Sequence, residues 1–446
     1  MKRVLLCSLI SLSLFGENVD ELLDGFDNTP ATKSDTNDTS QEDELLAGFD
    51  DKAPQKETIP HKNRLHKLGI EGRFTQSLAY SYHNDKPHDK LSSLKSLLFL
   101  EYNKKLNDNF KLKINGNTFY DATYAIKRKS KFTSQEIDSL ESEVELFDAY
   151  IEGSLRENLD IKAGRQVVVW GKSDTIRVTD VLNPLDNRRP AMVDIEDLRL
   201  PTTMLKLDYY KKDWKISPII IVEQRFNKNP PFGGDFYPSP KKLPTRSTPH
   251  TPSYALEIAG EFSGYDINFY LADIYAQDEL GLPLVSHNKK VKMAGFATNF
   301  VHESWLFKTE LAYKKDFQFL QTGDKSFDRI DTLVGFEYNG IKDTKLSYDF
   351  ANKHITDKNP HFRQNSYQHA FRITSDFKNA TLHTNYLIAL FGEKANKGGF
   401  QRAWIKYDIA DALSTNIGIV DYIGGNKLFD AINDNDMIFA DVSYSF

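Results

Sequence analysis

Three absences narrow the reading before any motif is considered. No run of about 18 consecutive apolar residues occurs, which excludes a membrane-spanning helix. Cysteine is almost missing: the one thiol, Cys7, sits in the first ten residues, so the rest of the chain has neither disulfides nor thiol chemistry. Motifs for phosphate, dinucleotide and zinc chemistry are missing too. There is no P-loop, no GxGxxG ahead of a helix, no HExxH and no GxSxG, and the eleven histidines lack metal-ligand spacing. Ser366 and His369 share a stretch, but any barrel offers such pairs, and no enzyme, cofactor or metal is implied.

What the chain has is aromatic residues, 30 Phe and 21 Tyr, at a mean hydropathy of only −0.51. An aromatic-rich chain that is polar on average suits a membrane β-barrel, whose lipid face uses every second residue. A soluble array of β-sandwiches would match the composition alone. The last ten residues argue for the barrel. In Met437–Phe446, Ile438, Ala440, Val442, Tyr444 and Phe446 share one face, and a final strand ending in Phe is the signal read by the barrel-insertion machinery.

Met1 to Gly16 reads as a secretory signal: Lys2 and Arg3, then an apolar stretch to Phe15. Cleavage before Cys7, as in a lipoprotein, would leave too short a leader. Glu17 to Pro60 then carries thirteen acidic residues against Lys33, Lys52 and Lys56, and its polar composition predicts disorder. The remainder is nearly neutral, which argues against nucleic acid as a partner. Two islands break the tail, ELLDGFD at 21–27 and ELLAGFD at 44–50. As short helices they would present Leu22, Leu23 and Phe26, and Leu45, Leu46 and Phe49, on one face. Neither can bury that face alone, so both suit docking on a periplasmic or inner-membrane transporter protein, with two copies raising the local concentration. A duplicated spacer is the plain alternative.

From Leu68 onward, alternating segments recur about every twenty residues. Phe74, Leu78, Tyr80 and Tyr82 fall on one face of the first; Phe110, Leu112, Ile114, Tyr120 and Tyr124 align in the third. Eighteen candidate strands result, with sixteen also compatible. Short links (106–109, 156–158, 211–213, 263–264, 302–304, 339–343, 378–379 and 408–413) alternate with long ones, as a barrel with one short-turn rim requires. Aromatics near strand ends, among them Tyr80, Tyr82, Tyr120, Tyr124, Tyr209, Tyr210, Phe269 and Tyr270, suit interfacial girdles. The proline-rich stretch from Asn229 to Pro252 should be extended at the surface. Asn433 to Asp436 is acidic enough for Ca²⁺ or a lipopolysaccharide bridge, but a solvated loop explains it equally.

The densest unusual chemistry lies in 162–190, KAGRQVVVWGKSDTIRVTDVLNPLDNRRP. After Gly164-Arg165-Gln166, Val167 to Trp170 are apolar on both faces, so this strand should pack something inside the lumen. Gly171 permits a sharp bend, and Asn183-Pro184-Leu185-Asp186 has the composition of a turn. The expectation is that 171–201 folds inward and narrows a pore, with Arg165, Gln166, Trp170, Lys172, Asp174, Asn183, Asp186, Arg188 and Arg189 at the constriction. Arg165, Arg188 and Arg189 either contact solute or pin the segment through Asp174, Asp180, Asp186 or Asp194.

Gly164, Arg165, Gln166, Trp170, Gly171 and Asn183 to Asp186 resemble the GRQ…WG…NPLD pattern of an uncharacterised family of Gram-negative outer-membrane barrels. Such barrels are often encoded beside transporters of the resistance-nodulation-division type. The resemblance implies a porin-like protein involved in moving hydrophobic or lipid-like molecules; the doubled acidic tail stands outside it.

The reading is therefore all-β: a signal peptide (1–16), a disordered acidic tail in the periplasm (17–60) and a transmembrane antiparallel β-barrel (61–446) in the outer membrane of a Gram-negative bacterium. Outer-membrane lipid and lipopolysaccharide would surround it. Three functions remain open: a transport conduit working with a partner recruited by the tail, a passive diffusion porin with an inward loop, and a structural or adhesive surface protein.

Overall fold

A computed structural model describes residues 69–243, 248–280, 282–286, 289–360 and 362–446. The signal sequence, the acidic tail and the motif residues Leu22, Leu23, Phe26, Leu45, Leu46 and Phe49 lie outside the described residues.

The alternating segments become eighteen strands. The first six are β1 (Ile70–Ser81), β2 (Lys90–Lys105), β3 (Phe110–Asp121), β4 (Ser142–Arg156), β5 (Leu159–Gln166) and β6 (Thr202–Lys211). Next come β7 (Trp214–Ile221), β8 (Ser253–Phe262), β9 (Tyr265–Tyr275), β10 (Lys290–His302), β11 (Trp305–Gln318) and β12 (Ser326–Ile341). The last six are β13 (Thr344–Ile355), β14 (Asn365–Phe377), β15 (Leu382–Phe391), β16 (Gly399–Ala410), β17 (Leu413–Ile423) and β18 (Met437–Ser445). Each pairs antiparallel with its neighbours in sequence, and β1 pairs with both β2 and β18, so the sheet is closed. The strand count and all eight short turns agree with the sequence pattern.

Closure leaves neither the first nor the last strand open, the condition for a sheet in hydrocarbon. At the seam, Phe446 and Gly72 exchange both backbone hydrogen bonds at 2.9 Å. A Cβ at Gly72 would fall 2.4 Å from the Phe446 ring, so a larger residue there must displace that ring. Period 2 decides what faces out: Phe74, Leu78, Leu146, Leu311, Val334 and Ile417 are exposed on the outer wall. Alternate positions turn inward and are polar on most strands, with Lys308, Glu310, Asp331 and Asp349 among them.

Four details depart from the sequence reading. β5 stops at Gln166, so Val167 to Trp170 lie in no strand, and Val168 and Trp170 join the core inside the barrel. Tyr124 sits buried in a short helix, Thr123–Lys127, and Tyr270 points inward, so neither belongs to a girdle. Asn183 to Asp186 is no closed turn; Leu185 and Asp186 bridge to Arg199 and Lys228. The proline-rich loop is not extended at the surface throughout: Phe236 is buried against Tyr422 beside Phe391 and Phe429. Aromatic burial outweighs the stiffness of the flanking prolines.

Candidate functional site

The β5–β6 connection, residues 167–201, runs inside the barrel. Gln166 anchors its start: its side-chain amide donates to the Met204 carbonyl at 3.2 Å and its backbone carbonyl accepts from Asn183 Nδ2 at 3.3 Å. Asn183 ties both ends of the segment. Its Oδ1 accepts from Val168 N at 2.8 Å, and Nδ2 also donates to the Leu200 carbonyl at 2.9 Å. Gly171 adopts φ +89° where a Cβ would meet the Glu310 carboxylate at 2.9 Å.

Packing comes next. Val168, Trp170, Ile176, Val178 and Leu182 bury themselves against the inner wall, and Trp170 stacks on Tyr270 at 4.6 Å. The wall makes room by using alanine at inward positions: Ala255, Ala272, Ala297, Ala312, Ala351 and Ala370, on six different strands. Each large apolar side chain so buried stabilises docking by about 1.5–3 kcal/mol, because the interior it leaves is aqueous.

Polar clamps then fix the register, and wall residues supply them. Glu310 on β11, 2 % exposed, accepts from Lys172 N (2.7 Å), Ser173 N (3.1 Å), Thr179 N (3.0 Å) and Thr179 Oγ1 (2.7 Å). Asp349 on β13 accepts from Ser173 Oγ at 2.7 Å and Thr175 Oγ1 at 2.6 Å. Lys314 donates to the Val178 carbonyl at 2.8 Å. Further along, Asp194 lies between Arg372 and Arg402, and Tyr422 donates to the Pro190 carbonyl at 2.5 Å. The segment is thus held to β11, β13, β14, β16 and β17, far around the ring from its own strands.

The residues singled out from sequence fall into place within this frame. Gln166, Trp170 and Asn183 are buried anchors. Lys172 pairs with Asp266 at 2.9 Å, and Asp174 lies 3.7 Å from Lys308. Arg165 pairs with Glu145 of β4 (2.9 Å) and Glu223 just after β7 (3.4 Å), and not with the segment's aspartates. Arg188 bonds Asp186 (2.5 Å), Glu143 (2.7 Å) and the Ser139 carbonyl (2.5 Å). Arg189 donates to the Ser92 carbonyl at 3.1 Å, with Asp121 at 4.0 Å. Asp180 takes Arg177 and Arg199, and Asp194 takes Arg372 and Arg402, none of them the arginines first considered. Burial pushes the Asp186 carboxyl up, but the Arg188 hydrogen bond and charge outweigh it and hold it below the usual range. Asp197 is raised, by burial first and then by the Asp194 charge.

A cavity of 1580 Å³ opens beside the segment toward the long loops. Val181, Val193, Leu198, Tyr237 and Leu387 give it apolar surface, and Arg177, Arg372, Lys353, Asp174 and Glu279 give it charge. Of the nine constriction candidates, Asp174 lines it. Sequence reasoning missed Glu310, Asp349, Arg372 and Arg402. Charged residues at inward strand positions and the inward alanines are the signal that marks them.

Elsewhere, Asn435 bonds Asn84 and the Asp235 carbonyl, and Asp436 bonds Tyr422 N and His83. Among the described residues no cluster of His, Cys, Asp and Glu is arranged to hold a metal. His369 contacts the Tyr348 hydroxyl at 2.8 Å and the Gly392 carbonyl at 3.2 Å.

Comparison with solved structures places the fold among outer-membrane porins. OccAB2 of Acinetobacter baumannii superposes with a TM-score of 0.52 at 11% identity, over 84% of this chain and 97% of that one. OccK8 (OprE) of Pseudomonas aeruginosa gives 0.53 at 9% identity, over 85% and 98%. The outer membrane protein OpdK of the same organism gives 0.51 at 8% identity, over 84% and 98%. At such identities the likeness concerns the fold alone. No curated protein matches the chain. A family model, described as protein of unknown function (DUF1302), matches residues 84–446, and the protein belongs to that family.

Proposed function

We propose that the protein is an outer-membrane transport channel whose aperture is set by the segment 167–201. One observation carries this reading: the segment is fastened across the interior to strands far around the ring, beside a cavity large enough for a small organic molecule. The cavity combines apolar walls with Arg177, Arg372 and Lys353, which suits amphipathic or lipid-like solutes with an acidic group. One structure of OpdK was solved with vanillate, an aromatic carboxylate of that chemical type.

We take the short-turn rim, where β1 begins and β18 ends, as the periplasmic side. The tail would then reach into the periplasm, and its two ELL(D/A)GFD motifs would recruit a periplasmic carrier or an inner-membrane transporter of the resistance-nodulation-division type. The repeat supports this, since each copy offers an apolar face with nothing of its own to bury it.

The test is conductance in planar bilayers, with and without residues 17–60. A partnered conduit conducts poorly alone, loses cellular transport without the tail, and crosslinks through Phe26 or Phe49 to a periplasmic protein. A passive porin conducts steadily and ignores the deletion. Absence of conductance in every form, with the aperture segment released as well, would overturn the channel reading.

A further inference from the structure

The barrel wall has a notch. The β4–β5 ladder starts at Ala149↔Arg165, so among the described residues Ser142–Asp148 of β4 has β3 as its only strand neighbour. The wall stays low over the next three strands, whose upper ends pair as Gln166↔Thr202, Met204↔Ile221 and Ile221↔Ser253. It rises again at β9, where Ile274 and Tyr275 pair with β10 above the end of β8. β5 and β7 have eight residues each, against sixteen in β2 and β12. Eight residues at about 3.3 Å each, tilted by about 40°, rise roughly 20 Å, less than the apolar band of about 25 Å.

The notch lies at membrane depth. Tyr120, exposed on the outer wall, stands opposite Ser142, and Val144 and Leu146 follow on the membrane side of that level. Val144 is 85 % exposed, more than any other large apolar residue described, because no strand flanks it on one side. Val222 and Tyr254, at the upper ends of β7 and β8, are exposed as well.

Among the described residues no strand fills the gap. A strap, residues 222–229, crosses it, tied below by Val222 N to the Thr203 carbonyl (3.0 Å) and on the far side by Asn227 Nδ2 to the Asp278 carbonyl (2.7 Å). Toward β4 the strap is held through ion pairs. Lys228 lies 2.6 Å from both Glu143 and Glu145, and Arg225 lies 2.7 Å from Glu145; from the aperture segment, Arg188 adds 2.7 Å to Glu143. Behind the strap is the cavity, which Leu185 and Asn227 line.

An unpaired strand edge in hydrocarbon is costly, since nothing there bonds its amides. Side-chain ion pairs, unlike a ladder, can part without unzipping the sheet. We infer that the gap between β4 and the strap is a lateral portal, closed by Lys228 and Arg225 on Glu143 and Glu145, through which an amphipathic single-chain lipid passes between the cavity and the outer leaflet. The polar head keeps to the charged rim while the tail crosses beside Val144 and Leu146. This rests on the channel reading and specifies its substrate route.

The experiment uses the full chain with Cys7→Ser, Glu143→Cys and Lys228→Cys in liposomes, the two thiols joined by a bis-methanethiosulfonate, which forms a disulfide to each cysteine with loss of methanesulfinate and is released by reduction. Two quantities are read: single-channel conductance, and transfer of a fluorescent alkyl sulfonate from the membrane to albumin enclosed in the vesicle. Linking should bring transfer down to the level of protein-free vesicles and leave conductance unchanged; reduction should restore it. In a second form, Lys228→Met with Glu143→Gln keeps side-chain size and leaves Arg225–Glu145 as the one remaining pair of the clamp, and transfer should rise. Conductance with transfer indifferent to both changes overturns the portal and spares the channel. Absence of conductance in every form, with the aperture segment released as well, overturns both. Dimers trapped through Val144→Cys would show the edge covered by a second copy, which also overturns it.

Discussion

Glu310 offers the sharpest test of the interior segment. Its carboxylate accepts three backbone N–H groups and one hydroxyl from Lys172, Ser173 and Thr179, and it is buried. Glu310→Gln keeps the shape, but turns one oxygen that meets two donors into a donor itself. Hydrogen bonds to a charged group contribute about 1.5–3 kcal/mol each, and an unmatched buried donor costs about 1–3. With one oxygen retained, we expect docking to weaken by roughly 2–4 kcal/mol, a shift of about thirty- to a thousandfold between docked and released segment. The apolar contacts of Val168, Trp170, Ile176 and Val178 remain, so the segment should fluctuate and not be lost. Planar-bilayer recordings should therefore show higher mean conductance and frequent transitions absent from the parent protein. Glu257→Gln is the control for lumen charge, since Glu257 contacts Asn268 and Lys215 of the wall. Conductance and noise in Glu310→Gln equal to those of Glu257→Gln would refute the reasoning.

Asp194→Asn should loosen the far end of the segment by removing the charge between Arg372 and Arg402; combined with Glu310→Gln, the conductance gain should exceed the sum of the single effects, because both clamps restrain one element. Gly72→Leu should open the seam, since its Cβ alone meets the Phe446 ring at 2.4 Å; the folded band on unheated gels should be lost at a lower temperature. Trp170→Ala should cost about 3–5 kcal/mol of docking and make the segment a protease substrate in intact barrels. His88, in the β1–β2 loop, is lowered by burial but raised more by its hydrogen bond to Glu136 and the charge of Asp235, so it ends above its ordinary 6.5. A raised histidine contributes stability that is full below its unfolded value and is lost as pH rises through its folded value. The thermal stability of the parent should fall through that window, and that of His88→Gln should not.

The wall was legible because the membrane imposes a local rule. Each strand must alternate, each second link can be short, and both marks lie within about twenty residues of sequence. The segment 167–201 announced itself by the same logic: Val167 to Trp170 violate the alternation, and the chain leaves the wall there. Its moorings obey no local rule. Glu310, Asp349, Arg372 and Arg402 lie between 131 and 208 residues from the groups they hold. On their own strands they read as ordinary lumen-facing charges. The arginines of the motif misled in the same way, since Arg165 and Arg189 found carboxylates on β4 and β3 in place of nearby aspartates. The notch was illegible for a different reason: strand length depends on where a neighbour leaves the sheet, and that is decided by packing inside.

The six inward alanines make wall and insert a matched cast and mould. No one of them can be enlarged without evicting something from the interior, and a bulkier insert would need a wall carved afresh. The two should therefore change in concert among relatives. Transplanting residues 167–201 alone into another barrel should jam, whereas moving them together with the alanine positions should carry the aperture across intact.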